Sequence, residues 1–192
     1  MASRWRRGGL RMYSNCINVN FAAKCIPLLI QQNINGSDFF NRSWAEYKAG
    51  FSDNRGNYWL GNDLLSQLTL TGRYKLRFDL QERTNGTWYY AEYSTFVVLS
   101  EAYNYRLQVS GYMGNADDGF RQHSGMEFTT YDRDNDPWTS SRYKNNCAVL
   151  LGGGCWFAGC GTCDFNNARG RTQNFRWWLR LYLQTSRMWL TC

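Results

Sequence analysis

Phe128-Thr129-Thr130-Tyr131-Asp132-Arg133-Asp134-Asn135-Asp136 is followed by Cys147-Ala148 and then by Gly153-Gly154-Cys155-Trp156-Phe157-Ala158-Gly159-Cys160. Carboxylates at 132, 134 and 136 stand at alternate positions ahead of a cysteine-rich loop. Hard oxygen donors at that spacing suit a cation such as calcium, and clustered cysteines suit a cross-linked loop in an oxidising compartment. An EF-hand begins in the same way, but the match ends there. Its sixth position is Pro137 where glycine is required, its twelfth is Tyr143 where a bidentate glutamate belongs, and no helical pattern flanks it.

Other landmarks precede and follow this stretch. They are Asn41-Arg42-Ser43-Trp44-Ala45-Glu46-Tyr47-Lys48-Ala49-Gly50-Phe51, Tyr58-Trp59-Leu60-Gly61-Asn62, Ala91-Glu92-Tyr93 and Ser186-Arg187-Met188-Trp189-Leu190. In that order, they resemble the fibrinogen C-terminal (fibrinogen-like) domain, in the style of invertebrate ficolin- and tachylectin-like proteins. The resemblance covers residues 31–192 and implies an α+β fold. Its parts would be a mostly antiparallel twisted sheet, short helices, and a calcium-bearing, disulfide-stapled loop subdomain. Residues 1–30 depart from the family pattern and read as a divergent or truncated N-terminal segment. Cys16 and Cys25 lie there only nine apart. That segment is a poor secretion signal, because its short apolar run is broken by Lys24 and Pro27.

Local signals agree with one domain. Ser43 and Glu46 form a capping-box pair opening a short helix that Gly50 closes. Asn62 or Asp63 caps a second helix through Leu64, Leu65 and Leu68. Tyr74, Leu76, Phe78 and Leu80 alternate with polar residues, as in a half-buried strand. Asn85-Gly86 predicts a type I′ turn into a returning strand through Tyr89, Ala91 and Tyr93. Tyr105, Leu107 and Val109 predict a third strand, and Met188 and Leu190 a final one. Between Ser110 and Arg176 regular patterning fades.

Composition bounds the function. With 192 residues, nine Trp, thirteen Tyr and eleven Phe, the chain builds one aromatic-rich core. No run of eighteen apolar residues occurs, so no membrane span is expected. The net charge of +7 is concentrated at the two ends; residues 38–136 carry ten Lys/Arg against fourteen Asp/Glu. Scattered arginines in that arrangement do not predict a nucleic-acid stripe. His123 is the only histidine, and no phosphate loop or nucleophile elbow occurs, so no enzyme is expected.

The resemblance also implies a site. Calcium would take side-chain oxygens from Asp134 and Asp136 and carbonyls near Trp138 and Ser140, with Asp132 as a helper. Eleven positions separate Asp136 from Cys147, about five more than in ficolin-like chains. Cys147 would bond Cys160, and Cys163 would bond Cys192, leaving Cys155 as the odd thiol. Only Cys160-x-x-Cys163 has zinc-ribbon spacing, which makes a zinc site a poor alternative. Lectin-like members carry a pocket where the peptide before the second cysteine, here Gly159–Cys160, is often cis. Leu151 and Trp156 would line its slot, and the backbone amides of Cys160 and Gly161 would donate. The family's usual histidine is replaced by Gly161, and its aromatic or acid by Leu151.

The expected role is extracellular recognition of glycans or acetylated groups, with a lectin-like innate-immune character. The rival is a protein-binding matrix or receptor-ligand module, and homo-oligomerisation stays open. Three N-glycosylation sequons, at Asn35, Asn41 and Asn85, are consistent with secretion.

Overall fold

Side-chain alternation places the central strands. In β4 (Lys75–Glu82), Leu76, Phe78 and Leu80 are completely buried while the residues between them face outward. In β5 (Trp88–Val98), Ala91 and Tyr93 do the same, and in β6 (Leu107–Gly114), Leu107 and Val109. These strands belong to a computed structural model that describes residues 26–34, 36, 38–139, 146–160, 163–167, 175–177 and 181–192.

The first strand, β1 (Leu28–Ile34), crosses the boundary expected at residue 30, because Ile30 and Gln31 are both buried in the sheet. Short strands β2 (Phe51–Ser52) and β3 (Tyr58–Trp59) pair beside it. The last strand, β8 (Leu181–Thr191), inserts between β1 and β4 and also pairs with β7 (Arg176–Trp177). The order is β2-β3-β1-β8-β4-β5-β6, with every pairing antiparallel. The C-terminal strand therefore completes the middle of a sheet started at residue 28.

Helix α1 (Trp44–Ala49) opens with the expected capping box: Ser43 accepts from the Glu46 amide, and Glu46 accepts from the Ser43 amide. Gly50 ends it at φ +90°, with its ideal Cβ position 2.5 Å from the Leu60 carbonyl oxygen, so only glycine fits. Helix α2 (Asn62–Thr71) begins differently from expectation. Gly61 is its cap residue and makes no side-chain bond. Asn62 instead accepts from the Trp59 indole, and Asp63 from the Tyr105 hydroxyl.

Two further local expectations are corrected. The β4–β5 connection is not a type I′ turn, which would need positive φ at both Asn85 and Gly86. Only Gly86 is left-handed, at φ +73°. The Glu82 carboxylate accepts from the amides of Thr84 and Asn85, and this favours a four-residue loop closed by Gly86. Tyr105 is not in β6; it and Asn104 are left-handed at φ +51° and +50°, so the strand starts at Leu107.

The region after β6 packs on the buried face of the sheet. It contributes Phe120, Phe128, Trp156, Phe157 and Phe165, all at most 1% exposed. Phe78 meets Trp177 at 4.6 Å and Phe120 at 5.0 Å between ring centroids. Edge-to-face rings in this range add a little beyond their area burial. Among the described residues, no helix is long and apolar enough to cross a membrane.

Candidate functional site

The acidic turn grows out of a two-way bridge. Thr129 and Cys155 exchange backbone hydrogen bonds of 2.8 and 3.1 Å, which lays the start of the turn directly against the cysteine loop. Thr130 and Arg133 then pair across the tip. Asn135 braces the underside, its amide side chain donating to the Phe128 carbonyl at 2.6 Å.

The three carboxylates have separate duties. Asp132 accepts from the Trp44 amide at 2.9 Å and the Thr130 hydroxyl at 2.7 Å, so it anchors the first turn of α1. Asp134 is exposed and accepts from the Asp136 amide. Asp136 is half-buried and bridges two segments: Oδ1 accepts from Trp138 N and Oδ2 from Cys147 N, each at 2.9 Å. Burial pushes the Asp136 carboxyl above its ordinary range, and the neighbouring Asp134 charge adds to the rise. Two amide donors only partly offset this.

That donor set fits a hard cation. Two carboxylates sit close enough to repel, with oxygen atoms as the only ligating type, and a divalent ion would relieve both charges. The Trp138 carbonyl is within the described chain, whereas Ser140 lies outside the described residues. Among those residues, no group of three or more His, Cys, Asp or Glu side chains is placed to hold a metal ion.

Helix α3 (Cys147–Leu151) carries the first loop cysteine. Asn146 caps it by accepting from Val149 N, and its amide donates to the Thr130 carbonyl at 3.0 Å. Asn146 thus ties the acidic tip to the cysteine loop, a role that an isolated Asn-Cys pair signals only as a helix cap. Arg133 is a second brace missed in the sequence: its guanidinium lies 4.0 Å from the Trp44 ring centroid and donates to Asn104. The left-handed Asn104 carbonyl in turn accepts from Phe128 N.

The cysteines pair in part as expected. Cys147 and Cys160 are bonded, with Cα atoms 5.0 Å apart. Cys163 is bonded to Cys155, with Cα atoms 6.3 Å apart, and not to Cys192. The reason is placement: Cys155 and Cys163 are both buried in the loop region. Cys192 follows Thr191 at the end of β8, beside Tyr74 and Phe96. Cys192 is itself disulfide-bonded, and Cys155 is no odd thiol. Non-reducing peptide mapping should recover Cys155–Cys163; recovery of Cys163–Cys192 would overturn this assignment.

The expected ligand slot is also corrected. Leu151 is 2% exposed and Trp156 is fully buried, with its indole N–H donating to the Tyr105 carbonyl at 2.7 Å. Both belong to the core, because Trp156 fills the space between Phe128, Phe120 and Trp59. The Gly159–Cys160 peptide is trans, the form that costs about 3 kcal/mol less for a non-proline residue. Gly161 lies outside the described residues. What the loop presents is the half-exposed rim Ala158–Cys160, with the Ala158 amide donating to the buried His123 ring. Tyr131 and Trp138, 45% and 38% exposed, flank the carboxylates.

Known proteins share this architecture. Residues 22–184 match the profile of the C-terminal globular domain of fibrinogen beta and gamma chains. Human ficolin-3 is 41% identical over 140 residues, covering 72% of this chain and 45% of the relative. The rat fibrinogen alpha chain is 44% identical over 154 residues, covering 72% of this chain and 19% of the relative. The chain thus spans less than half the length of these curated relatives. Among solved structures, the fibrinogen-like globe domain of human ANGPTL2 superposes with a TM-score of 0.76 at 35% identity, covering 85% of this chain and 79% of that one. A lamprey fibrin D-dimer complexed with the peptide Gly-His-Arg-Pro-amide superposes at 0.66 and 30% identity, covering 85% and 60%. On its sequence and on its sheet, turn and cross-linked loop alike, the chain belongs to the fibrinogen C-terminal domain family.

Proposed function

We propose that this chain is a non-catalytic extracellular recognition domain binding glycans or acetylated groups at the face formed by the acidic turn and the Cys147–Cys160 loop. The observation that carries this reading is the Asp136 carboxylate, which holds Trp138 N on one side and Cys147 N on the other. A cation on that carboxylate stabilises the turn and the cross-linked loop together. The exposed Tyr131 and Trp138 rings offer apolar faces to a sugar or an acetyl methyl, beside the partly exposed Ala158–Cys160 rim. An expected apolar slot at Leu151 and Trp156 plays no part in this face.

Calcium is the proposed ion. When bound, it supplies the positive charge that cancels the repulsion between Asp134 and Asp136. The chain's own part is to hold those carboxylates, with the Trp138 carbonyl, in place; Ser140, the other expected donor, lies outside the described residues. A calcium concentration a hundredfold above the dissociation constant should stabilise the fold by about 2.7 kcal/mol. Asp134→Ala and Asp136→Ala should erase the difference between melts in calcium and in EDTA, whereas Asp132→Ala should destabilise α1 and leave that difference. Identical wild-type melts in calcium and EDTA would sink the proposal. Because burial raises the Asp136 pKa, acid neutralises this ligand sooner than an exposed aspartate. Calcium affinity should therefore rise with pH across the range just above the ordinary aspartate value.

The lamprey relative solved with a peptide favours a second reading, in which the same face takes a protein segment. A glycan array in calcium and in EDTA separates the two. Calcium-dependent signal on N-acetylated sugars supports the first, and a silent array favours the second.

A further inference from the structure

We propose that Asn85, at the tip of the β4–β5 hairpin, is an N-glycan acceptor and that Asn41 is not, although both sit in Asn-x-Ser/Thr sequons. The inference rests on the extracellular reading. Transfer joins the Asn Nδ2 to the anomeric carbon of an oligosaccharide carried on a polyprenyl pyrophosphate. The bond from that carbon to the pyrophosphate oxygen breaks, the lipid pyrophosphate leaves with the electron pair, and Nδ2 gives up one proton to a base. The acceptor nitrogen must be exposed, and the sequon must be able to bend around it.

Asn85 meets both needs. It is exposed, as are its neighbours from Arg83 to Trp88. Its Oδ1 accepts from the Thr87 amide at 2.8 Å, an Asx turn. That bond turns the amide nitrogen away from the backbone and draws electron density toward Oδ1, which makes the N–H easier to remove. The Thr87 hydroxyl bonds nothing among the described residues and stays available to the transferring enzyme. Glu82 fixes the same turn by accepting from the amides of Thr84 and Asn85, and Gly86 closes it at φ +73°. All these partners lie within six residues, so the turn needs no distant part of the fold to form.

The Asn41 sequon is committed elsewhere. An Asx turn there would need the Ser43 amide, but that amide donates to Glu46 Oε2 at 2.8 Å. The Ser43 hydroxyl also donates to Glu46 Oε2 at 2.8 Å and accepts from Glu46 N as the cap of α1. Arg42, the middle residue, is held by the Phe39 carbonyl and by Glu46. Bending the Asn41 sequon into an Asx turn would have to break the Ser43 amide's bond to Glu46 and with it the capping box.

Position gives the modification a purpose. β5 runs from Trp88 at the hairpin tip to Val98, ten steps of about 3.3 Å, or about 33 Å. Its far end leads to Glu101, which receives the Trp44 indole N–H beside the acidic turn. A glycan at Asn85 therefore shields the end of the sheet away from the recognition face.

The test secretes the full chain from a eukaryotic host behind a supplied leader, followed by peptide N-glycosidase digestion and peptide mass spectrometry. Glycosidase-dependent conversion of Asn85 to aspartate, lost in both Asn85→Gln and Thr87→Ala, with Asn41 unconverted, is the expected result. Secreted protein with Asn85 unmodified, or with Asn41 occupied, overturns the proposal. The leader carries the chain through the secretory route whatever its own export signal. An unmodified Asn85 would thus count against the turn geometry and not against the extracellular assignment.

Discussion

Trp156→Ala is expected to destabilise the fold by about 3–5 kcal/mol, the usual cost of emptying a buried tryptophan site. For a domain of this size that lowers Tm by about 6–20 °C. The indole is fully buried, meets Phe128 edge-on at 5.0 Å between centroids, and donates to the Tyr105 carbonyl. Truncation therefore leaves a cavity and an acceptor without its donor. Trp156→Phe separates the two: it keeps much of the volume and should cost about 1–3 kcal/mol for the unpaired carbonyl. Thermal melts of both variants in calcium decide the matter. A Tm unchanged in Trp156→Ala, with ligand binding lost, would return this residue to a ligand slot and remove it from the core.

The second large effect is a contribution of Asp164 to stability that falls between pH 4 and pH 7. Burial pushes the Asp164 carboxyl up to about 6, and its bond and charge attraction to Arg176 only partly oppose this. The carboxylate accepts from Arg176 Nε at 3.1 Å and from the Asn167 side chain at 2.6 Å. The folded state thus holds its proton at a pH where the unfolded chain has already released it. That contribution is complete below the ordinary aspartate value of 3.8 and is lost as pH rises through about 6. Two pKa units correspond to about 3 kcal/mol. Asp164→Asn keeps an acceptor for Arg176 and removes the titration. Across this range the urea midpoint of the wild type should fall relative to that of the variant. An equal slope in both would show that Asp164 is not the source.

Elements driven by local chemistry were legible in the sequence. The capping box at Ser43 and Glu46 and the alternation in β4 depend on residues within a few positions of one another, and both form as read. Features set by distant partners were not legible. Asp63 looks like a helix cap until the Tyr105 hydroxyl claims it, and Tyr105 leaves its strand because Asn104 and Tyr105 turn left-handed to receive Phe128 and Trp156. At the site, the acidic spacing pointed to a cation but could not divide the work among three carboxylates. Asp132 serves α1, 88 positions away in sequence. Pairing among closely spaced cysteines depends on which of them share a loop, and the alternative to Cys163–Cys192 became visible only once Cys155 and Cys163 were placed side by side.

The bond from Cys147 N to Asp136 Oδ2 also bears on how this family diversifies. It fastens the two ends of the intervening excursion at its base, so the turn and the cross-linked loop keep their register whatever is threaded between them. Doubling the length of such a closed excursion costs only about 0.6 kcal/mol of chain entropy. Between Trp138 and Asn146 a lineage can lengthen or rewrite the sequence, or a protein engineer can graft a foreign peptide, without redesigning the scaffold beneath, and such a change gives up the proposed Ser140 ligand.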